Sequence, residues 1–196
     1  MQPGDDLPDD TLPAEQAHLD LIPFGVLDPL AVSIVGANIQ AVLGLLTDIL
    51  PARPKPDYAH MPVRNQYDAS KILKALAAET DGAPLKLGIL QSDLSIPILT
   101  YVYGESQLGG KAAVISLHRL FNIDRQIVYQ RAAKIGIHEV GHLFGLEHCW
   151  EAGCLMRFSK QLDQLDTLPM RFCSSCEYEI ARRLSRIVQN CKPPEE

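Results

Sequence analysis

Short apolar runs and helical stripes alternate along the first third of the chain. The segment 18–24 has the leucine and isoleucine content of a buried strand. Asp28 then stands at the N-cap position of a helix whose first residue is Pro29, where a missing N–H costs nothing. We predict that this helix continues until just before Pro51.

The remainder of the chain continues to alternate between strand and helix patterns. Three short apolar runs separated by Gly and Pro are predicted as strands, at 85–90, 98–103 and 112–117. Apolar residues at helical spacing predict three helices, at 69–78, at about 124–143 and at about 175–188. This order of elements predicts an α/β (α+β) fold that ends in a smaller C-terminal subdomain.

A glycine-containing segment, GESQLGGKA at 104–112, resembles a phosphate-binding loop at first sight. Its spacing does not fit, because Glu105 stands where the first glycine must be and Ala112 follows the lysine instead of Ser or Thr. We interpret the segment as a turn.

Composition and charge narrow the class of protein. The chain has 196 residues, of which 46% are hydrophobic and 21% charged, which is typical of a globular domain with a sizeable core. Its net charge of −6 argues against a nucleic-acid surface. The length suits one compact unit, and we expect a monomer.

The long apolar run at 29–50 invites a membrane interpretation. Small and polar residues interrupt it at helical spacing, however, which favours a buried core helix and predicts no membrane contact. These residues are Ser33, Gly36, Gln40, Gly44 and Thr47.

The first seventeen residues, 1–17, are acidic and proline-rich, and we expect a disordered tail there. They lack the basic and apolar regions of a secretory signal, so we expect a cytoplasmic protein. Five cysteines in such a chain indicate metal binding more than a disulfide framework.

The segment HEVGHLFGLEHC at 138–149 concentrates metal-binding chemistry. His138 and His142 are four residues apart, so on a helix they project from one face and suit two ligands of a tetrahedral Zn²⁺. Gly145 can end the helix and turn the chain, which brings His148 back as a third ligand. Three protein ligands leave the fourth position open, as in catalytic zinc sites.

Glu139 lies between the two helical histidines and can reach a zinc-activated water without binding the metal. The spacing H-E-x-x-H-x-x-G-x-x-H therefore predicts hydrolysis, with Glu139 as the general base and proton carrier. A buried helix that merely contains histidines is the alternative, and five specified positions within eleven residues argue against it.

A cluster of four cysteines follows the third histidine directly. Cys149 and Cys154 are five positions apart, and Cys173 and Cys176 follow later as a C-x-x-C pair that opens a helix. Four thiolates fill a tetrahedral shell, which predicts a structural zinc and hence two zinc ions per chain. Disulfides or ordinary buried thiols are the alternative. Cys191 is left without a role.

Taken together, HEVGHLFGLEHC, the later CLM and CSSC resemble the archaemetzincins, a branch of the metzincin metallopeptidases. RNQYDASKIL at 64–73 and VISLHRL at 114–120 also resemble family segments, so the likeness covers about residues 20–190. By resemblance, the three histidines bind catalytic zinc, Glu139 is the base, the four cysteines bind the second zinc, and Met156 is the methionine of the turn below the metal.

The resemblance also implies a fold and a mode of substrate binding. It implies a metzincin-like twisted mixed sheet with active-site and backing helices, an upper catalytic subdomain at 18–145 and a lower subdomain at 146–196. An edge strand of the upper part would bind extended peptide by strand addition. Our candidate residues for that edge are Thr100, Tyr101, Val102 and Tyr103, followed by Gly104, and an edge strand without a binding role is the alternative.

The leading functional prediction is therefore a zinc peptidase that acts on a peptide or protein substrate. A zinc-stabilised module that binds peptide without cleaving it is the second hypothesis, and a hydrolase of non-peptide amides is the third. The presence of Glu139 favours an enzyme, since a pure binding module does not need a base.

Overall fold

The computed structural model describes residues 17–190, and side chains as far as Ser185. Nine strands and five α-helices alternate along this part of the chain, with a 3-10 turn at Asp57–Ala59. In chain order they are β1 (His18–Phe24), α1 (Pro29–Leu43), β2 (Leu46–Ile49), β3 (His60–Met61), β4 (Gln66–Asp68), α2 (Ala69–Ala78), β5 (Leu85–Leu90), β6 (Leu94–Ile96), β7 (Leu99–Val102), β8 (Gly104–Ser106), β9 (Ala112–Ser116), α3 (Arg125–Leu143), α4 (Leu162–Thr167) and α5 (Ser174–Asn190).

A five-stranded sheet forms the centre of the fold, in the order β2-β1-β5-β9-β8. The first four strands are parallel, and β8 joins the edge antiparallel to β9. A smaller sheet has the order β3-β4-β6-β7. Its strands contain two to four residues each, too few for a periodic sequence signal. The mixed sheet agrees with the predicted fold class.

Helices cover both faces of the large sheet. Side chains of β1 alternate, so Leu21 packs with α1 and α3 on one face while Ile22 packs with α2 on the other. Because both faces are covered, the central strands are apolar on both sides, as expected for parallel strands.

The helix predicted from Pro29 to just before Pro51 is shorter in the structure. It ends at Leu43, and Gly44 caps it in the left-handed conformation, with φ of 69° and its N–H bonded to Gln40 O. Residues after the cap form β2, which pairs in parallel with β1. The apolar run therefore contains a helix and an edge strand, and the prediction of one long helix was wrong.

The segment predicted as a turn at 104–112 also begins differently. Gly104–Ser106 form β8, and the turn follows them, with Gly109 at φ of 67°. The remaining predictions agree closely with α2, α3, β5, β7 and β9. The last predicted helix corresponds to α5. The predicted tail lies outside the described residues apart from Ala17, which is buried in the core, and Cys191 lies outside them as well.

No helix among residues 17–190 has the length and apolar content needed to span a bilayer.

Two buried basic side chains on α3 form hydrogen bonds with the C-terminal part of the chain. Arg131 donates two hydrogen bonds to Asp166, at 2.8 and 2.6 Å, and two more to carbonyl oxygens of the loop before α3. Lys134 Nζ donates to the carbonyl oxygens of Leu165 and Asp166, both at 2.9 Å. The side chain of Arg131 is 8% exposed, so its charge depends on these partners.

Replacing Asp166 by Ala is therefore expected to lower the free energy of unfolding by about 1–3 kcal/mol, since Arg131 loses its carboxylate partner. The pair holds the pKa of Asp166 below its usual value, chiefly through the hydrogen bond from Arg131. Its contribution is thus present above the usual aspartate pKa and is lost as pH falls through the lowered value. Urea unfolding at neutral and acidic pH measures both effects.

Asp163→Ala, on the same short helix, is the matched control, because among the described residues that carboxylate accepts a hydrogen bond only from the backbone N–H of Gln164. An equal loss of stability in both variants would contradict the role given to the Arg131–Asp166 pair.

Candidate metal centres and cleft

The end of α3 brings the three predicted histidines together. His138 and His142 lie one turn apart, and the helix ends two residues before Gly145, which has φ of 70° and donates its N–H to His142 O. The chain then returns past the helix end to His148. The ring centroids lie 4.8 to 5.3 Å apart, and one nitrogen of each ring lies within 4.8 Å of the others.

Backbone carbonyls fix the orientation of the two helical histidines. His138 Nδ1 lies 2.8 Å from Leu155 O, and His142 Nδ1 lies 2.5 Å from Leu146 O. Each Nδ1 must carry a proton to donate to its carbonyl, so both Nε2 atoms present lone pairs. These lone pairs face each other at 3.2 Å. Tetrahedral zinc with Zn–N near 2.0–2.1 Å requires a nitrogen separation of about 3.3 Å, so the pair fits a shared metal.

Burial disfavours the charged form of each of these histidines. It lowers the pKa of His138 to about 4, and it is also the largest cause of the lowered pKa values of His142 and His148. A neutral imidazole is the form that binds a metal ion. Burial therefore favours the metal-binding form at all three positions.

The carboxyl group of Glu139 is buried beside the histidines, with the residue 8% exposed. Its Oε2 accepts a hydrogen bond from Ser106 Oγ at 2.7 Å. Burial raises the pKa of Glu139, while the nearby His142 and the Ser106 hydrogen bond act in the opposite direction. The sequence predicted Glu139 but gave no sign of Ser106, which lies 33 positions away on β8.

The four predicted cysteines form a second cluster. Their Sγ atoms all lie within 4.8 Å of one another, and those of Cys149 and Cys173 are 3.8 Å apart. Tetrahedral zinc with Zn–S near 2.3 Å requires a sulfur separation of about 3.8 Å. The cysteines are free thiols, so the alternative of two disulfides does not describe this arrangement. The N–H of Cys173 donates to Cys154 Sγ at 3.3 Å, a contact that favours a thiolate.

Thiol acidity differs within the cluster. Hydrogen bonding, first of all from the N–H of Cys176, lowers the pKa of Cys173. Burial raises the pKa values of Cys154 and Cys176. Two buried thiols that ionise reluctantly need a bound cation to become thiolates, so this donor set fits a closed structural metal site.

Three consecutive residues connect the two clusters. Cys154 belongs to the thiol cluster, Leu155 O accepts the hydrogen bond of His138, and Met156 O accepts the N–H of Cys149 at 2.8 Å. Met156 is fully buried, and its Sδ would lie 2.7 Å from a Cβ placed on Gly141. The predicted methionine thus packs against α3 between the two helical histidines.

A cleft of about 900 Å³ opens above the histidines. Residues 99–106 and Leu108 line one side, and Glu147, His148, Trp150 and residues 157–160 line the other, where Trp150 and Phe158 are exposed. The Phe158 ring lies 4.9 Å from that of His148. An open groove with largely apolar walls and three imidazoles at its base suits an extended chain molecule.

All four predicted edge-strand residues line this cleft, but they do not belong to the edge of the large sheet. Thr100, Tyr101 and Val102 lie on β7, at the edge of the smaller sheet, and Tyr103 follows β7. Thr100 O already accepts hydrogen bonds from Arg64 and Gln66, both at 2.8 Å. The edge strand of the large sheet beside Glu139 is β8.

Comparison with known proteins identifies the family. The family model described as Peptidase family M54 matches residues 57–182, more than half of the chain. The archaemetzincin of Methanopyrus kandleri is 33% identical over 171 residues, which cover 86% of this chain and 98% of the relative. The chain belongs to the archaemetzincin family. It is a zinc metallopeptidase, as the sequence predicted.

Other members and solved structures agree with this assignment. The archaemetzincin of Pyrococcus furiosus is 32% identical, with 85% of this chain and 93% of the relative covered. The crystal structure of the M. kandleri archaemetzincin superposes with a TM-score of 0.81 at 32% identity, covering 90% of this chain and 99% of that one. A zinc-dependent peptidase from Methanocorpusculum labreanum gives a TM-score of 0.74 at 28% identity, covering 83% and 99%. The predicted fold class is confirmed.

Because Leu155 and Met156 connect the clusters, loss of the cysteine site should disturb the histidine site. Cys173→Ser is expected to lower bound zinc from two ions to one per chain and to lower the melting temperature. It should also weaken zinc at the histidines by roughly 10–100-fold, since their hydrogen-bonded support loosens. Elemental analysis, thermal melts and chelator titration measure these three effects.

Cys191→Ser is the matched control, and we expect it to keep two zinc ions and the parental melting temperature. An unchanged zinc count in Cys173→Ser would contradict the second site, and unchanged affinity of the remaining ion would contradict the coupling.

Proposed function

We propose that this archaemetzincin cleaves peptide bonds with Glu139 as the general base, using a catalytic zinc at His138, His142 and His148. The observation that carries this proposal is the buried Glu139 carboxyl group beside three converging imidazoles at the base of an open cleft. A second zinc at the four cysteines is structural, which makes two ions per chain. The same residues could hydrolyse other amides, but the shape of the cleft favours a peptide.

The chemistry of the site follows from the positions of its own groups. When bound, zinc supplies a Lewis acid that lowers the pKa of water and polarises the scissile carbonyl. Glu139 accepts the proton of the attacking water and later delivers it to the leaving amine. The Nδ1 hydrogen bonds to Leu155 and Leu146 keep the two helical imidazoles in the tautomer that leaves Nε2 free.

We also propose that the substrate extends the large sheet along β8. In the antiparallel pair with β9, Tyr103 O accepts from Ser116 N, and Gln107 N donates to Ala112 O. Strand alternation then turns the peptide groups of Gly104 and Ser106 away from β9, towards the cleft. A substrate strand can bond to these groups, as in other cases of strand addition. Thr100–Tyr103 would then contact substrate side chains.

The proposed division at Gly145 gives each part of the chain a role in this scheme. Residues before it supply the edge strand, Glu139 and two of the histidines, and residues after it supply His148 and the opposite wall of the cleft. The two-subdomain boundary predicted at 145/146 is consistent with a substrate held between these parts.

The first test is digestion of a diverse peptide library by the zinc-loaded protein and by its Glu139→Gln variant, read by mass spectrometry. Glu139→Gln is expected to reduce cleavage by roughly 10²–10⁴-fold, because the amide cannot accept the proton. Its zinc content should remain that of the wild type. The wild-type digest also gives the cleavage preference.

Glu151→Gln is the matched control, since Glu151 is exposed and does not line the cleft. Equal activity of Glu139→Gln and wild type would contradict the assignment of Glu139 as the general base. Binding of peptides without any cleavage by the loaded wild type would favour a peptide-binding module instead.

Strand addition is tested by scanning a bound peptide with N-methyl groups. Binding to the Glu139→Gln variant should weaken by roughly tenfold at every second residue near the cleavage site, because only alternate amides of an added strand face β8. Calorimetry of each methylated peptide measures the pattern. Sensitivity without this alternation, or none at all, would rule out pairing with β8.

A further inference from the structure

The general base is held by a group from outside its own helix. Glu139 belongs to α3, whereas its hydrogen-bond donor, Ser106 Oγ, belongs to β8 and lies 2.7 Å from Oε2. Among the described residues, Ser106 provides the one side-chain hydrogen bond that Glu139 receives. A glutamate side chain has three rotatable bonds, so a single fixed donor strongly restricts where its carboxylate lies.

Gly104 also lies against the Glu139 side chain, on the same face of β8 as Ser106. A Cβ placed on Gly104 would lie 2.6 Å from both Cγ and Oε1 of Glu139. The strand backbone therefore approaches the carboxylate more closely than any side chain at 104 would permit. One carboxylate oxygen lies against Gly104, and the other is bonded to Ser106, so β8 fixes both.

The strand is itself anchored to the helix that carries the base. Gly109 N, in the turn after β8, donates to His142 O at 2.8 Å. On the other side, β8 is paired with β9 over its whole length. The bond to α3 after the strand and the pairing with β9 together fix the position of Ser106 relative to α3, as a positioning group requires.

We propose that Ser106 is a positioning residue that aims the Glu139 carboxylate at the attacking water. The inference rests on the proposed role of Glu139 and adds a specific dependence on β8. Because the peptide groups of Gly104 and Ser106 also face the cleft, a substrate strand that pairs with β8 orders the same two residues that hold the base. Substrate docking and base alignment are therefore coupled through one short strand.

The test is the kinetic comparison of Ser106→Ala and Ser106→Thr with the wild type, using a peptide found in the library digest. Ser106→Ala is expected to lower kcat by roughly 10–100-fold with little change in KM, since the carboxylate is misplaced by about an ångström while the binding surface remains. Ser106→Thr keeps the hydroxyl and should recover most of kcat. Zinc content and melting temperature should not change in either variant.

Ser33→Ala is the matched control, because it removes an exposed serine hydroxyl on α1 that, within the described part of the chain, bonds only to Pro29 O. Its kcat should equal that of the wild type. A Ser106→Ala variant with unchanged kcat, or a loss that appears in KM alone, would overturn the proposal. So would a Ser106→Thr variant as impaired as Ser106→Ala.

Crystal structures of the zinc-loaded wild type and Ser106→Ala separate this inference from the proposed function. In the variant, the Glu139 carboxylate is expected to leave its wild-type position or to occupy several. A carboxylate in an unchanged position overturns the positioning role even if the wild type cleaves no peptide. Lack of wild-type cleavage together with a displaced carboxylate would contradict the proposed function alone.

Discussion

The backbone of residues 154–156 is the constraint on which both metal clusters depend. Cys154 contributes its thiol to the cysteine cluster. Leu155 O accepts the hydrogen bond of the His138 imidazole, and Met156 O accepts that of the Cys149 N–H. A four-thiolate site that holds zinc would add order to the C-terminal part of the chain. A single hydrogen bond, from His138 Nδ1 to Leu155 O, connects His138 to this site. The adjacency of His148 and Cys149 has the same consequence, since one backbone carries a ligand of each cluster.

The opposite wall of the cleft is organised by the sheet. Gly104 and Ser106 bring β8 against the Glu139 carboxylate, so the base is defined by a contact between the last strand of the large sheet and α3. The metal ligands, by contrast, are defined by α3 and by the chain after Gly145. The chemistry of the site therefore depends on the relative placement of β8, α3 and the chain after Gly145, and α3 contacts both of the other parts. The buried pairing of Arg131 with Asp166 helps to keep α3 in place on the C-terminal side.

The sequence alone predicted the site residues whose grouping depends on local spacing along the chain. The i, i+4 spacing of His138 and His142 and the left-handed turn at Gly145 place three ligands within eleven residues, so no long-range contact is needed to see them. The end of α1 was missed because Gly44 was counted in a small-residue stripe, although its conformation makes it a cap. Ser106 could not be predicted, since a strand of three residues has no periodicity and its partner is 33 positions away.

A buried general base must satisfy two opposing requirements. It has to be ionised before it can accept a proton, yet it must bind that proton firmly enough to carry it to the leaving group. Burial of Glu139 raises its pKa and would supply the second property, while the hydrogen bond from the Ser106 hydroxyl stabilises the carboxylate and would supply the first. A hydroxyl is suited to this balance because it is neutral and stabilises the carboxylate less than an ion pair with Lys or Arg would. A serine on β8 thus suits the proton transfer proposed for Glu139.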